Sequence, residues 1–282
     1  MAATLIRSIR RSRAHRSRTS YHRRMDVRAA AAFLLDMRAS RRVEADMPDA
    51  LRPADLDVAY RVQREVVGAL SPERGPIGYK CACTSPIAQA ALQIDRPLFG
   101  RLLAASTSPS GADLPASQFL HRVIEAEFAF RIGDDVEPID GGHTAETISD
   151  FVDVVIPAIE VVDYRYAQWT LGAPQVAADN AIHGWWVHGD PVSDWRAIDL
   201  AATPVTVECN GSVATTGSGA NVLGHPLNVL AWLADELPRR GLALGAGDLV
   251  TTGVTTDVFE AEAGDLVVAH FDGIGSVTVS FV

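Results

Sequence analysis

The stretch that most constrains this chain is His121-Arg122-Val123-Ile124-Glu125-Ala126-Glu127-Phe128-Ala129-Phe130-Arg131. Its alternation predicts a β-strand. Ile124, Ala126, Phe128 and Phe130 form one apolar face, and Val123, Glu125, Glu127 and Ala129 share the other. Two like charges on an otherwise apolar strand repel each other and lose hydration. They need either open solvent on that face, as on an edge strand, or a shared positive partner such as a hard divalent cation.

A second apolar strand, Val155-Ile156-Pro157-Ala158-Ile159-Glu160-Val161-Val162-Asp163, is interrupted by another carboxylate. Glu160 is either a charge at a strand end or a third ligand. Three carboxylates with waters and a chelating substrate complete an octahedral Mg²⁺ or Mn²⁺ site. Asp163 lies an odd number of positions on, so it faces elsewhere and is expected to pair with Arg165. Lys80, after Gly75-Pro76-Ile77-Gly78-Tyr79, is the only lysine beside 24 arginines. Where any cation suffices the chain uses arginine, so a solitary lysine, whose pKa moves on burial, suggests proton transfer or point-charge stabilisation. The alternative is a surface lysine kept by chance.

Along the chain, helices are expected from Asp26 to Met37 and, after Pro53, through Leu56, Tyr60, Gln63, Val67 and Leu70 to Ser71-Pro72. Ser85-Pro86 caps a short helix to Leu92, Pro97-Leu98-Phe99-Gly100 breaks the pattern, and residues 104 to 117 read as loop. Thr144 to Val154 reads as a helix. Ala178-Asp179-Asn180-Ala181-Ile182-His183-Gly184 leads into a strand at Trp185-Trp186-Val187-His188; Asp179 and His183 are a possible acid/base pair, or Asp179-Asn180 is a turn or helix cap. Asn210-Gly211 marks a hairpin, and Gly217-Ser218-Gly219 has the wrong spacing for a nucleotide loop. A helix from Pro226 to Arg240 and strands at Leu249–Val254, Leu266–Phe271 and Val277–Val282 close the chain.

Charge excludes some functions. The first 24 residues hold eight arginines and no acid; removing them leaves 17 basic against 35 acidic residues, or −18, which does not suit phosphate-backbone binding. That basic segment reads as a nucleic-acid arm, a mitochondrial transit peptide or an upstream extension with Met25 as the working start. The last is the expectation, because helical periodicity begins after Met25. Three cysteines, Cys81, Cys83 and Cys209, argue against a disulfide framework and for a reducing, cytoplasmic setting. Their spacing is not that of a zinc site. No apolar run reaches transmembrane length.

In this order, Gly78-Tyr79-Lys80, Arg122-Val123-Ile124-Glu125-Ala126-Glu127, Pro157-Ala158-Ile159-Glu160, Ala178-Asp179-Asn180-Ala181, Gly224-His225-Pro226 through Ala234, and Ala246-Gly247-Asp248 resemble the 2-keto-4-pentenoate hydratase and 4-oxalocrotonate decarboxylase group of the fumarylacetoacetate hydrolase superfamily, from about Met25 to Val282. The resemblance implies a mixed α/β (α+β) fold on a rolled, mostly antiparallel sheet with N-terminal and flanking helices, and a homo-oligomer. The expected organisation is a basic extension over 1–24, a helical segment over 25–78 and a catalytic β-roll over 79–282. The resemblance further implies Mg²⁺ or Mn²⁺ on Glu125, Glu127 and Glu160, Lys80 over the substrate, and Thr256 near its carboxylate. Asp179 and His183 join Lys80 as candidate catalytic residues, and Asn180 joins Thr256 as a candidate for substrate binding.

The implied reaction is hydration of a small 2-hydroxy-2,4-dienoate from aromatic meta-cleavage, a carbon–oxygen lyase reaction. Two positions depart from the group. Leu98 stands where relatives commonly carry Asp in Pro-Asp-Phe/Tyr-Gly, and Gln175 stands where they commonly carry another Asp. With part of the acid/base machinery replaced, the alternatives are decarboxylation of a 4-oxalocrotonate-type acid, hydrolysis of an acylpyruvate with His183 as base, and a catalytically idle metal-binding partner subunit.

Overall fold

A computed structural model of the chain describes residues 25–167 and 171–282; the basic segment 1–24 lies outside the described residues. Helix α1 (Val27–Ser40) starts where the Asp26 carboxylate accepts the N–H groups of Arg28 and Ala29, and it buries Ala30, Ala31, Leu34 and Met37. The second helix, α2 (Leu56–Leu70), begins after the Asp55 cap, not at Pro53, because the Asp55 carboxylate takes the N–H of Val58. Further helices are α3 (Pro86–Leu92), capped by Ser85, then α4 (Ala145–Ser149), α5 (Ala173–Ala178) and α6 (Pro226–Glu236).

The strands are β1 (Pro76–Ala82), β2 (Leu98–Leu103), β3 (Thr107–Pro109), β4 (Ala112–Leu114), β5 (Val123–Ile132), β6 (Val152–Val162), β7 (His183–His188), β8 (Pro204–Cys209), β9 (Ser212–Ser218), β10 (Leu249–Val254), β11 (Phe259–Glu260), β12 (Leu266–Phe271) and β13 (Gly275–Phe281). They form one sheet in the order β2-β1-β10-β5-β6-β7-β3, with β11 added to β5, and a second in the order β4-β13-β12-β8-β9. Among the described residues, only β1–β10, β3–β7 and β4–β13 of the eleven strand pairings are parallel, so the sheets are mostly antiparallel, as expected.

Three local expectations give way to the sheet. The helix expected over 144–154 stops at Ser149, because β6 is drawn into register with β5 from Val152 opposite Ile132. The segment 97–100 is not a break but the start of β2, with Leu98 opposite Ala82. Part of the expected loop 104–117 pairs as β3 and β4. Near the C-terminal end of the expected helix 226–240, the chain tightens into a 3₁₀ turn at Leu237–Arg240, where Pro238 has no N–H to continue the ladder. The Asn210-Gly211 hairpin forms, with both residues at positive φ.

The two faces of β5 have different destinations. Ile124, Ala126, Phe128 and Phe130 enter the large core between the sheets, where Phe128 meets Phe271 edge to face at 5.1 Å. On the other face, Ala129 packs in a smaller cluster with Leu102 of β2 and Trp186 of β7. Those strands are far apart in the sheet order, so the first sheet curls until its rims meet, and the carboxylate face of β5 lies inside the curl. Helices α1 and α2 belong to the large core. Tyr60 stacks on Phe99 at 4.3 Å, and Gln63 Nε2 donates to the carbonyls of Phe99 and Ala177. No helix among the described residues is long and apolar enough to cross a membrane.

Candidate metal and substrate site

Antiparallel register sets Glu125 directly opposite Glu160, with Glu127 opposite Ala158. Since residues two apart share a face, all three carboxylates point into the curl, and one oxygen from each lies within 4.8 Å of the others. Glu127 and Glu160 are fully buried, and Glu125 is partly exposed. Lys80 arrives from β1 through β10: it pairs with Thr251, which pairs with Ala129. Its ammonium is 3.1 Å from Glu160 Oε2 and donates to the carbonyl of Ala181 at 3.0 Å. The Thr251 hydroxyl donates to Glu127 Oε2.

His183, at the start of β7, has Nδ1 2.8 Å from Glu160 Oε1 and Nε2 3.3 Å from the Ser106 hydroxyl. An ionised carboxylate only accepts, so Nδ1 carries the proton and Nε2 accepts from Ser106. Burial lowers the His183 pKa despite Glu160, which keeps the ring neutral at pH 7. Burial also opposes the charge on Lys80, but Glu160, Glu125 and Glu127 outweigh it and hold the ammonium above its usual range. Glu160 is held below the usual carboxylate range: Lys80 and His183 overcome its burial. The remaining two go the other way. Burial pushes Glu127 well above the ordinary range, helped by Glu160 and Glu125, and pushes Glu125 up to about 7.

Three carboxylates therefore face one ammonium. Glu127 Oε1 is buried without a hydrogen-bond partner, and Glu160 Oε2 has the Lys80 contact but no aligned hydrogen bond. A buried acceptor left unpaired costs about 1–3 kcal/mol, and more for a charged group. Excess negative charge, converging oxygens and unpaired lone pairs together fit a hard divalent cation.

The turn before β7 is strained to serve this cluster. Asn180, Ala181 and Ile182 have φ of 54°, 49° and 53°, a left-handed run that a β-branched residue rarely adopts. Surrounding contacts hold it there. The Asn180 side chain bonds both the N–H and the carbonyl of Arg101, and Asp179 is clamped by Arg38 and Arg165, with Nη2 atoms at 2.8 and 2.7 Å. Arg165 also pairs with Asp163 at 3.3 Å, the expected partner. Gly100 is obligatory here, since a Cβ would meet the Asn180 carbonyl oxygen at 2.6 Å.

A cavity of about 220 Å³ opens on the cluster and is lined by Lys80 and Glu125. Of the other candidate catalytic and substrate-binding residues, Asp179, Asn180, His183 and Thr256, none lines this cavity. Asp179 and His183 do not bond each other: Asp179 serves the two arginines, and His183 serves Glu160. The Asn180 amide is used by β2. Thr256 lines an adjoining cavity and donates to the carbonyl of Asp257. Leu98 is fully buried on the same strand face as Lys80 and Ala82, and Gln175 reaches Asp46. The sequence reading missed Thr251, Ser106, Arg38 and the Ala181 carbonyl. Only Thr251, a polar residue inside an apolar strand, carried a local signal.

Residues 84–282 match the model of the fumarylacetoacetate (FAA) hydrolase C-terminal family. A 2-keto-4-pentenoate hydratase of Burkholderia vietnamiensis is 35% identical over 257 residues, covering 90% of this chain and 97% of that protein. A 4-oxalocrotonate decarboxylase of Pseudomonas putida is also 35% identical, over 227 residues, covering 79% of this chain and 84% of that one. Among solved structures, the 4-oxalocrotonate decarboxylase of Pseudomonas putida G7 complexed with magnesium and adipate superposes with a TM-score of 0.85 at 29% identity, covering 91% of this chain and 97% of the other.

Proposed function

The chain belongs to the fumarylacetoacetate hydrolase family, and from that premise we propose that it is a divalent-cation-dependent hydratase, adding water to a 2-hydroxy-2,4-dienoate. The observation that carries this reading is the buried cluster of Glu125, Glu127 and Glu160 beside Lys80, opening onto an apolar cavity. Relatives named as 2-keto-4-pentenoate hydratases match nearly the whole chain and support it.

The three glutamates would hold Mg²⁺ or Mn²⁺, since an all-carboxylate donor set suits hard cations. When bound, the ion supplies Lewis acidity to the 2-oxygen and C1 carboxylate of the substrate. Lys80 holds its proton at pH 7 and stands at the cavity wall as a fixed positive charge, favouring the spread of negative charge along the dienolate. Nζ can pass a proton to the diene terminus, C5, and take back the proton leaving the 2-hydroxyl, which gives the 2-oxo-3-enoate and restores the ammonium; water then adds across the C3–C4 bond, its oxygen to C4 and a proton to C3. The Ala181 carbonyl and Glu160 fix the direction of that ammonium. Cys83, which also lines the cavity, has its thiol pushed up to about 11 by burial, so it stays protonated and is no nucleophile.

A second reading is decarboxylation of a 2-oxo-3-enedioate. Leu98, a hydrocarbon on the Lys80 face, favours it because decarboxylation needs less proton relay. One assay separates the two. The protein is incubated with Mg²⁺ and either 2-hydroxypenta-2,4-dienoate or 4-oxalocrotonate, following ultraviolet absorbance and CO₂. Loss of dienoate absorbance with a 4-hydroxy-2-oxo acid as product is expected. Release of CO₂ from the diacid with the dienoate untouched would replace hydration by decarboxylation, and inertness toward both would remove either activity.

A further inference from the structure

Side chains alternate along β1, so Tyr79 faces away from Lys80, and Arg101 of β2 stands opposite Tyr79 in the register. Phe99, two residues before Arg101, shares that outer face. Here the first sheet, α2 and the chain after α6 enclose a second cavity of about 280 Å³, across β1 from the carboxylate cluster. Its apolar walls include Tyr60 and Val67 from α2, Phe99 and Leu242. Three arginines, Arg64, Arg101 and Arg240, also line it, and no described acidic residue does. The chain carries a net charge of −10, so a concave surface with cations and no acid runs against its overall balance.

The three arginines are not equivalent. Arg240 is already neutralised, by Glu236 at 2.9 Å and Asp57 at 2.8 Å. Arg64, exposed on α2, reaches only the Arg240 carbonyl, at 3.3 Å. Arg101 donates from Nε to the Gly78 carbonyl at 3.1 Å, and its guanidinium lies 4.0 Å from the centre of the Tyr79 ring, so the planar group is fixed before any ligand arrives. Among the described residues nothing accepts from its Nη1 or Nη2, and no carboxylate forms an ion pair with it. Asp248 lies near enough to favour its charge, but that carboxylate accepts the Gly245 N–H.

We propose that this cavity is a second small-molecule site, for an organic monoanion whose carboxylate is held on the Nη edge of Arg101, with the charge of Arg64 assisting, and whose flat apolar body lies against Tyr60, Val67 and Phe99. A carboxylate matches the two parallel N–H groups of a guanidinium edge. A hydrocarbon ring buried against aromatic walls adds contact that a bare inorganic ion cannot make. An apolar cavity of roughly 150 Å³ holds benzene, so about 280 Å³ takes a benzoate-sized acid.

Benzoate is the probe, titrated calorimetrically into the full chain with saturating Mg²⁺ and again in EDTA. Without a cation the carboxylate cluster repels an anion, so binding that persists in EDTA belongs to another site. Persistence is the expected result. Benzamide, which keeps the ring and lacks the charge, should bind at least about tenfold more weakly, and Arg101→Gln should weaken benzoate binding by about tenfold or more. Arg64→Gln alters an exposed side chain, so it leaves the fold intact, and it should weaken benzoate severalfold. No binding of benzoate, binding that vanishes in EDTA, benzamide binding as tightly as benzoate, or unchanged affinity in either variant overturns the proposal.

Discussion

The Lys80 ammonium lies 3.1 Å from Oε2 of Glu160, with both side chains withdrawn from solvent. Removing one member of such a pair leaves the other uncompensated, yet here the survivor sits among two further carboxylates. The consequences for catalysis and for cation binding are therefore opposite. Lys80→Met is expected to lower turnover by about 10²–10⁴-fold through loss of the proton donor. It should leave Mn²⁺ affinity equal or higher, because a competing positive charge is gone. Steady-state rates and calorimetric Mn²⁺ titration check this; a large fall in affinity would show that Lys80 mainly organises the ligands.

Glu127 carries the unpaired oxygen. Loss of even an outer-shell partner costs about 10–100-fold in metal affinity, so Glu127→Gln should weaken Mn²⁺ binding by at least about that much and abolish turnover. A neutral amide avoids the charge that burial disfavours at Glu127, so the cation-free variant should melt no lower than the parent. Full retention of cation affinity and activity would sink the assignment of this cluster.

The cluster also predicts a pH-dependent response to cation. In the cation-free fold Glu125 is pushed up to about 7 and Glu127 well above the ordinary range, mainly by burial. The folded state then binds these protons more tightly than the unfolded state. Their stabilising contribution is complete below the unfolded pKa, about 4.3, and is lost as pH rises through the raised folded values, about 7 for Glu125. Glu160, depressed, contributes in the opposite direction and loses its share only on acidification. A divalent cation displaces the extra protons, so the gain in melting temperature on adding Mg²⁺ should be larger at pH 8 than at pH 5.5. Differential scanning fluorimetry in both buffers measures it, and an equal gain contradicts the linkage.

Arg38 reaches from α1 to Asp179 and donates from Nη1 to the carbonyl of His183. It braces the left-handed turn whose Ala181 carbonyl aims Lys80. Arg38→Gln is expected to cost about 3 kcal/mol or more, as for other broken buried pairs, read from urea unfolding. It should also lower kcat more than it raises KM, since neither Arg38 nor Asp179 lines the cavity. A change in KM alone would mean the turn is held without Arg38.

Much of the fold was legible locally. Alternation located β5 and β6, Asp26 and Ser85 announced helix starts, and Asn210-Gly211 announced its hairpin, because these signals act within a few residues. The expected helix over 144–154 was mostly lost, since cross-strand pairing with β5 outweighs local periodicity. The pairing of Asp179 with His183 was plausible by spacing, but distant arginines at 38 and 165 claim the aspartate.

By itself the sequence determined which side chains share a strand face, because a period of two is a property of the extended backbone. It therefore placed Glu125 and Glu127 together and marked Glu160 and Lys80 as their companions. Only the tertiary structure decided that this face turns inward. The sheet curls until Leu102 and Trp186 meet, and that closure depends on register among strands far apart in the chain. The same closure makes the carboxylates expensive to leave unpaired, and it decides which neighbours line the apolar cavity they open onto.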